Sequence, residues 1–207
     1  MLSIEQVLGF LTAAVLITLS PGPDNMMVLG IGMAKGRARG MAFGLGCALG
    51  CLSHTVLATL GVSALIAASP AAFTLLKVAG GLYLVWLGLQ ALRSRGGARA
   101  ATVTASEPLS TLFAKGLLAN AINPKVVLFF LSFLPQFVVA AHGHANLQTA
   151  ALGIIFTVQA ALLFGLLGFF SGSVGAWLAR RPSAGMWLDR LAGGIFVALG
   201  LKLLVAR

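Results

Sequence analysis

The sequence predicts an all-α integral membrane protein with six transmembrane helices, arranged as two inverted three-helix repeats whose first and fourth spans are broken. Three observations support this prediction: the composition, the length of the apolar segments and the distribution of basic residues. Of the 207 residues, 59% are hydrophobic and 9% are charged, whereas soluble domains contain about 25% charged residues. A chain of this composition is expected in a lipid bilayer.

Six apolar segments cover most of the chain, and each is long enough to cross a bilayer. A helix needs about 20 apolar residues to span about 30 Å of hydrocarbon, whereas the strands of a membrane barrel alternate over about 10 residues. We expect residues 1–93 and 111–207 to form the two repeats, with a cytoplasmic loop at 94–110. The predicted spans are residues 5–33, 40–68, 71–93, 111–139, 147–178 and 185–206.

Basic residues are concentrated in alternate connections, which predicts the orientation of the spans. Lysine and arginine occur in the first, third and fifth connections, but the second (69–71) and the fourth (140–146) contain neither. An excess of Lys and Arg is typical of cytoplasmic loops, so both termini are expected on the outer face. The first residues, MLSIEQ, lack the basic region of a secretory signal, and we expect the first span to be retained. The net charge of +10 therefore reflects topology, and no nucleic-acid partner is predicted.

The first span contains the run SPGPDN at residues 20–25. Pro21 and Pro23, separated by Gly22, should break the helix, because proline has no N–H and clashes with the preceding turn. The break leaves the carbonyls of residues 17–20, and the amides that follow the second proline, without helical partners. A polar site inside the membrane is therefore predicted at this position.

Two charges are predicted near the bilayer midplane, one beside each break. Asp24 lies about 16 Å from the cytoplasmic Lys35, and Lys125, next to the helix-breaking Pro124, lies about 15 Å from Lys115, at about 1.5 Å per helical residue. A charge at that depth costs at least about 2.5–3.5 kcal/mol on insertion scales. We therefore expect Asp24 and Lys125 to face the interior of the helix bundle.

Short internal matches support the two-repeat organisation. KVAGGLY at 77–83 is similar to RLAGGIF at 190–196, and Pro124-Lys125 corresponds to Pro23-Asp24, 101 residues earlier. Both matches pair a span with the one three spans later, and three is an odd number, so the second half must insert upside down. Inverted repeats with interrupted spans in corresponding positions indicate a transporter binding site near the midplane.

The groups freed by the breaks predict the chemistry of the ligand. Amides at the start of a half-helix can bind a carboxylate, and carbonyls at the end of a half-helix can bind an ammonium group. An amino acid carries both groups, so we expect Asp24 and Lys125 to bracket an amino-acid zwitterion. The neighbouring apolar side chains suit a neutral or apolar substrate side chain; they are Met26, Met27, Phe129 and Phe130.

These motifs resemble the lysine exporter (LysE) superfamily, and specifically its homoserine/threonine exporter (RhtB) branch. The resemblance rests on residues 20–25, on KVAGGLYLVWLG at 77–88 and on NPKVVLFFLSFLPQF at 123–137, and it covers essentially the whole chain. It implies amino-acid export from the bacterial cytoplasm, driven by the proton motive force, by a homodimer. The bilayer is then the bacterial inner membrane, and the termini that the charge pattern predicts on the outer face lie in the periplasm. No cofactor is predicted.

The positions that match the family's motifs extend the predicted substrate site. They are Pro21, Gly22, Pro23, Asp24 and Asn25 in the first span, and Asn123, Pro124 and Lys125 in the fourth. The resemblance therefore adds Asn25 and Asn123 to Asp24 and Lys125 as substrate-binding candidates. The three prolines and the glycine are predicted to break the helices.

Structural alternatives exist for each of these residues. The prolines can serve only to kink packed helices, and Asp24 and Lys125 can form an ion pair that links the two halves. His54, about midway along the second span, is a proton-relay candidate, as is Asp24, because an unperturbed imidazole titrates between about pH 5 and 8. Alternatively, His54 hydrogen-bonds a neighbouring helix, and the same helix-linking role is expected for Gln159.

Two other function classes fit the sequence less well. An intramembrane enzyme needs a nucleophile with a base, or paired carboxylates, but the chain has four acidic residues; no enzymatic activity is predicted. A divalent-metal exporter of the same superfamily is the alternative function. It would need converging ligands, whereas Cys47, Cys51 and His54 lie on one helix, where the cysteines suit packing and no metal site is predicted.

Glycines at intervals of four residues predict close helix contacts in the second and fifth spans, because small residues let helix backbones approach. These glycines are Gly40, Gly44, Gly46, Gly50, Gly168 and Gly172.

Overall fold

The computed structural model describes residues 2–62, 69–93 and 107–205. These residues form helices joined by short connections, with no strand among them, and this confirms the all-helical prediction. The helices are α1 (Ile4–Leu19), α2 (Pro23–Lys35), α3 (Arg37–Leu57), α4 (Pro70–Leu92), α5 (Leu109–Ala121), α6 (Pro124–Leu128), α7 (Ala145–Phe169), α8 (Ser171–Arg180) and α9 (Pro182–Val205). A π turn, Ala58–Val62, extends α3, and α6 continues through a π turn, Phe129–Phe133, into a 3₁₀ turn, Leu134–Phe137.

Length and composition qualify three of the described helical segments as membrane spans: Arg37–Gly61, Thr74–Leu92 and Ala145–Phe169. The number rises to five if each of two bent pairs forms one span. In these pairs α1 meets α2 at 55°, and α5 meets the segment Pro124–Phe137 at 49°. The described residues therefore contain three to five candidate spans rather than a demonstrated six.

The sixth predicted span corresponds to α9, which carries Asp189, Arg190 and Lys202 and does not meet the same test. The fifth predicted span, 147–178, is two helices, because α7 ends at Phe169 and α8 starts at Ser171. The residue between them, Phe170, has φ −89° and ψ 7°, which ends the regular helical path. The predicted cytoplasmic loop lies largely outside the described residues, as do residues 63–68 of the second predicted span.

Local sequence explains where the first helices begin and end. Ser3 and Gln6 form a capping box at the start of α1, in which each side chain bonds the other residue's backbone N–H. Gly36 separates α2 from α3 with φ 90°, a left-handed conformation that glycine adopts without strain. Because the connection is this short, α2 and α3 fold back on each other.

Glycines bring α3 against its two neighbours. Gly46 of α3 lies on the backbone of Phe113 in α5, and Gly116 of α5 lies on the backbone of Phe43. On the other side, Gly168 of α7 packs against the backbone of Met41. Close contacts of this kind need residues without a side chain.

The predicted glycine stripe is correct at five positions and wrong at one. Gly40, Gly44, Gly46, Gly50 and Gly168 all lie against a neighbouring helix, whereas Gly172 has no atom within 4 Å of the position that a Cβ would take. Gly172 follows the Phe170 interruption and belongs to α8, so it no longer continues the face of α7.

Helices α4 and α9, which carry the two similar motifs, also pack through glycine. Gly88 and Gly193 each lie against the other's carbonyl, and so do Gly81 and Gly200. The residue numbers rise along α4 as they fall along α9, so the two helices are antiparallel.

Candidate functional site

At the first break, proline leaves carbonyls of α1 without their helical N–H donors. In a continuous helix the carbonyl of Ile17 would accept from the N–H of residue 21, which is proline. Two side chains bond it instead: the Ser20 hydroxyl at 2.8 Å and Lys125 Nζ at 3.1 Å. Lys125 Nζ also donates to the carbonyl of Ser20, at 3.2 Å. The lysine ammonium thus caps the end of α1.

Asn25 satisfies a further carbonyl at this break. Its Nδ2 donates to the Thr18 carbonyl at 2.8 Å, and Thr18 Oγ1 accepts from Gln159 Nε2 at 2.9 Å. Gln159 therefore links α7 to α1, as a helix-linking residue would.

At the second break, between α5 and α6, a proline again removes the helical donor of a carbonyl. The carbonyl of Asn120 has lost its helical donor because residue 124 is proline. His54 Nε2 lies 3.0 Å from this carbonyl, and since a carbonyl only accepts, the imidazole nitrogen donates. Asn123 then caps α6, because its Oδ1 accepts from the N–H of Lys125 at 3.1 Å.

At each break, a side chain from the other half of the chain donates a hydrogen bond to a freed carbonyl. Lys125, from the second half, donates to the carbonyl that Pro21 has freed in the first. His54, from the first half, bonds the carbonyl that Pro124 has freed in the second. Each break is thus bonded by a side chain from the other half, in addition to a local donor: the Ser20 hydroxyl for the Ile17 carbonyl, and the N–H of Asn123, at 2.9 Å, for the Asn120 carbonyl.

Asp24 lies in the first turn of α2 and is 2% exposed. Its Oδ2 accepts from Asn120 Nδ2 at 2.8 Å. Lys125 is 6% exposed, and its Nζ does not come within 4.0 Å of the Asp24 carboxylate, the limit for an ion pair. Each charge thus has its own neutral partners, and the direct pair considered from the sequence is not formed in this structure.

Asp24, Asn120 and Lys125 line one small cavity at the junction of the two breaks, together with Thr18, Phe129 and Phe156. Its volume is about 10 Å³, which is room for about one water molecule. This space is too small for an amino acid. Phe129 and Phe156 contact each other with their ring centroids 5.2 Å apart.

Three buried polar atoms near the breaks have no hydrogen-bond partner: Asn25 Oδ1, Asn123 Nδ2 and Gln159 Oε1. A buried polar group without a partner costs about 1–3 kcal/mol, so such groups in a native protein call for an explanation. Two are acceptors and one is a donor, which is the complement needed for an ammonium group and a carboxylate.

Asn120 is the central residue that the sequence did not single out. Besides its bonds to Asp24 and His54, its Oδ1 lies 3.4 Å from the Cys51 thiol. A signal was available, because Asn120 stands four residues before Pro124 just as Ile17 stands four before Pro21. In each case the proline marks a carbonyl that lacks the N–H four residues later and bonds a side chain from the other half.

Within residues 2–62, 69–93 and 107–205, no group of three or more His, Cys, Asp or Glu side chains is placed to hold a metal ion. Cys47 and Cys51 are buried and not disulfide-bonded. Both lie on the packed side of α3, in the hydrophobic core.

In comparisons with known proteins, a translocator family model and several efflux proteins match this chain. The family model "LysE type translocator" matches residues 15–207. The threonine efflux protein of Escherichia coli strain K12 is 32% identical over 212 residues, covering 96% of this chain and 98% of its own. The homoserine/homoserine lactone efflux protein of Salmonella typhi is 29% identical and covers 100% of this chain and 99% of its own.

A leucine efflux protein of an Enterobacter species is 29% identical, covering 94% of this chain and 92% of its own. No solved structure matches the chain.

Proposed function

The chain belongs to the family of LysE type translocators, whose members are transporters rather than enzymes, and we propose that it exports amino acids with neutral side chains. The single observation that carries the proposal is the meeting of both helix breaks at one buried cavity lined by Asp24, Asn120 and Lys125. The names of the similar efflux proteins, which refer to threonine, homoserine and leucine, support the substrate class.

In the proposed complex the cavity opens and the substrate lies between the breaks. Its carboxylate binds Lys125 and the unpartnered Nδ2 of Asn123, beside the first amides of α6. Its ammonium group enters the first break, on the side of the Asp24 carboxylate and the free Oδ1 of Asn25. The predicted substrate residues thus form two groups. Asp24 and Asn25 face the ammonium end of the substrate, and Asn123 and Lys125 face its carboxylate end.

The substrate side chain is proposed to contact the aromatic wall of the cavity, which consists of Phe129, Phe156 and Phe164. These rings offer apolar surface and no charged partner, so a cationic or anionic side chain would lose its hydration without compensation. This favours a neutral or apolar side chain.

The arrangement in the bacterial inner membrane is proposed as follows. Two inverted three-helix repeats, 1–93 and 111–207, form six spans with both termini in the periplasm, the protein is a homodimer, and the proton motive force drives export. The antiparallel pairing of α4 with α9 through glycine supports the inverted relation, because these helices carry the similar motifs and corresponding spans of inverted repeats run in opposite directions.

Efflux from proteoliposomes tests the proposal. Vesicles containing the purified protein are loaded with a labelled panel of neutral, acidic and basic amino acids, and efflux is followed with and without an imposed pH gradient. Gradient-dependent efflux of neutral amino acids is expected. If no amino acid leaves faster than from protein-free vesicles, the proposal is wrong.

The His54→Gln variant separates proton relay from packing. Glutamine can still donate to the Asn120 carbonyl, so the fold should be retained, but it does not titrate near neutral pH. If His54 relays protons, the pH dependence of efflux between about pH 5 and 8 should flatten. The same pH profile as in the unmodified protein would assign His54 to packing alone.

Cysteine labelling tests the proposed topology. Asn146 and Ser183 are both exposed and lie in the fourth connection and the fifth. In Asn146→Cys and Ser183→Cys variants lacking Cys47 and Cys51, an impermeant thiol reagent added to intact cells should label only position 146. Labelling of position 183 alone would reverse the orientation.

A further inference from the structure

The ammonium group of Lys125 occupies the place where the helix break offers a binding site for a cation. The carbonyls of Ile17 and Ser20 point out of the C-terminal end of α1, the negative end of the helix dipole. Lys125 Nζ bonds both, at 3.1 and 3.2 Å, and the ring of Phe196 lies 5.7 Å from the same nitrogen. The two carbonyl oxygens accept hydrogen bonds from a primary ammonium group, and the aromatic face attracts its positive charge.

Gly22 adapts the break to this ammonium group. A Cβ at residue 22 would stand 2.8 Å from Lys125 Nζ and 3.4 Å from its Cε. The backbone of Gly22 has φ −161° and ψ 178°, an extended conformation open to any residue, so the backbone does not demand glycine here. The room that glycine leaves is filled by the lysine side chain.

We propose that the Ile17 and Ser20 carbonyls form a subsite for a primary ammonium group, that Lys125 is its tethered occupant, and that the substrate's ammonium group displaces it during export. The inference rests on the proposed function and deepens it. In this structure Lys125 donates to both carbonyls; the Ile17 carbonyl also accepts from the Ser20 hydroxyl, whereas no other donor among the described residues bonds the Ser20 carbonyl. When a substrate takes over these carbonyls, the released lysine ammonium is free to bind the substrate's carboxylate.

This exchange sets requirements on the substrate. An N–H-bearing ammonium is needed to replace the two hydrogen bonds of Lys125, so quaternary amines and N-acylated amino acids should not be exported. A carboxylate is needed to receive the released lysine charge, so simple amines should not displace Lys125. Free amino acids meet both requirements.

Removing the tethered occupant should open the subsite to free amines. In the full-length Lys125→Met variant, purified in detergent, ethylammonium should raise the unfolding temperature by several degrees in a saturable manner, because a ligand that binds only the folded state stabilises it. Tetramethylammonium, which donates no hydrogen bond, should have no such effect. Neither amine should stabilise the unmodified protein. The Lys115→Met variant, which removes an exposed lysine, is the matched control and should also show no response.

Gly22→Ala provides a second test that keeps the lysine. The added methyl group should push the ammonium from the carbonyls, so this variant should also gain stabilisation by ethylammonium, and it carries the test if Lys125→Met does not fold. If ethylammonium stabilises neither variant more than the unmodified protein, the subsite is disproved.

The efflux assay is independent of these measurements. If ethylammonium stabilises Lys125→Met but the unmodified protein exports no amino acid, the cation subsite is supported and the proposed function is refuted. Amino-acid efflux without any response to ethylammonium in either variant would refute the subsite alone.

Discussion

The double variant Asp24→Lys with Lys125→Asp should lose transport and should be less stable than either single variant. The two charges do not contact each other, and each is bonded to a group of fixed polarity. Lys125 donates to carbonyls, which only accept, and Asp24 accepts from the amide nitrogen of Asn120, which only donates. After the exchange, a carboxylate would face carbonyl oxygens and an ammonium would face an N–H donor at the positive end of α2.

The size of this effect follows from the bonds that are lost. Each buried carbonyl left without a donor costs about 1–3 kcal/mol, and more where a charge is buried beside it. Thermal unfolding in detergent and proteoliposome efflux measure the two losses separately. The matched control is Asp24→Asn, which keeps an acceptor for Asn120 and should fold as the unmodified protein does. If the double variant recovers stability relative to the single variants, the charges meet directly and act as a structural pair.

The Gly116→Leu variant should fail to assemble, because it separates α3 from α5. A Cβ at residue 116 would run into the carbonyl of Phe43 and the amide of Cys47, and backbone cannot move aside as a flexible side chain can. Overpacking costs about 1–3 kcal/mol where neighbours can adjust, so a cost above this range is expected. It should appear as loss of the monodisperse peak in size-exclusion chromatography.

Gly172→Leu is the control for this prediction. Gly172 is also a helical glycine, near the start of α8, but no atom lies within 4 Å of its Cβ position. Its yield and elution profile should match those of the unmodified protein. Equal behaviour of the two variants would mean that the α3–α5 contact is less tight than the structure indicates.

The sequence predicted best what depends on local chemistry. Pro21, Pro23 and Pro124 each lack a backbone donor wherever the chain goes, so both helix interruptions and the carbonyls they free follow from residue order alone. The burial of Asp24 and Lys125 follows as well, because a charge at the bilayer centre has to face protein.

What the sequence could not provide is the pairing across the two halves. Lys125 bonds a carbonyl 108 residues away, and Asp24 bonds an amide 96 residues away. Such pairs depend on the rotation of each helix about its axis, which hydropathy does not determine when nearly every position is apolar. The bond between Asn120 and Asp24 was not foreseen for this reason, although the spacing to Pro124 pointed to the Asn120 carbonyl. The interruption at Phe170 was not foreseen because this residue is neither proline nor glycine.

The bonding of each break by the other half has a consequence for biogenesis. During synthesis, the end of α1 is made well before residue 125. The Ser20 carbonyl then lacks the Lys125 donor, whereas the Ser20 hydroxyl and Asn25 can already bond the carbonyls of Ile17 and Thr18. The first half alone therefore leaves one buried carbonyl of the break without the donor that it has in the folded protein. We therefore expect the first half to reach its final packing only after the second half has been made.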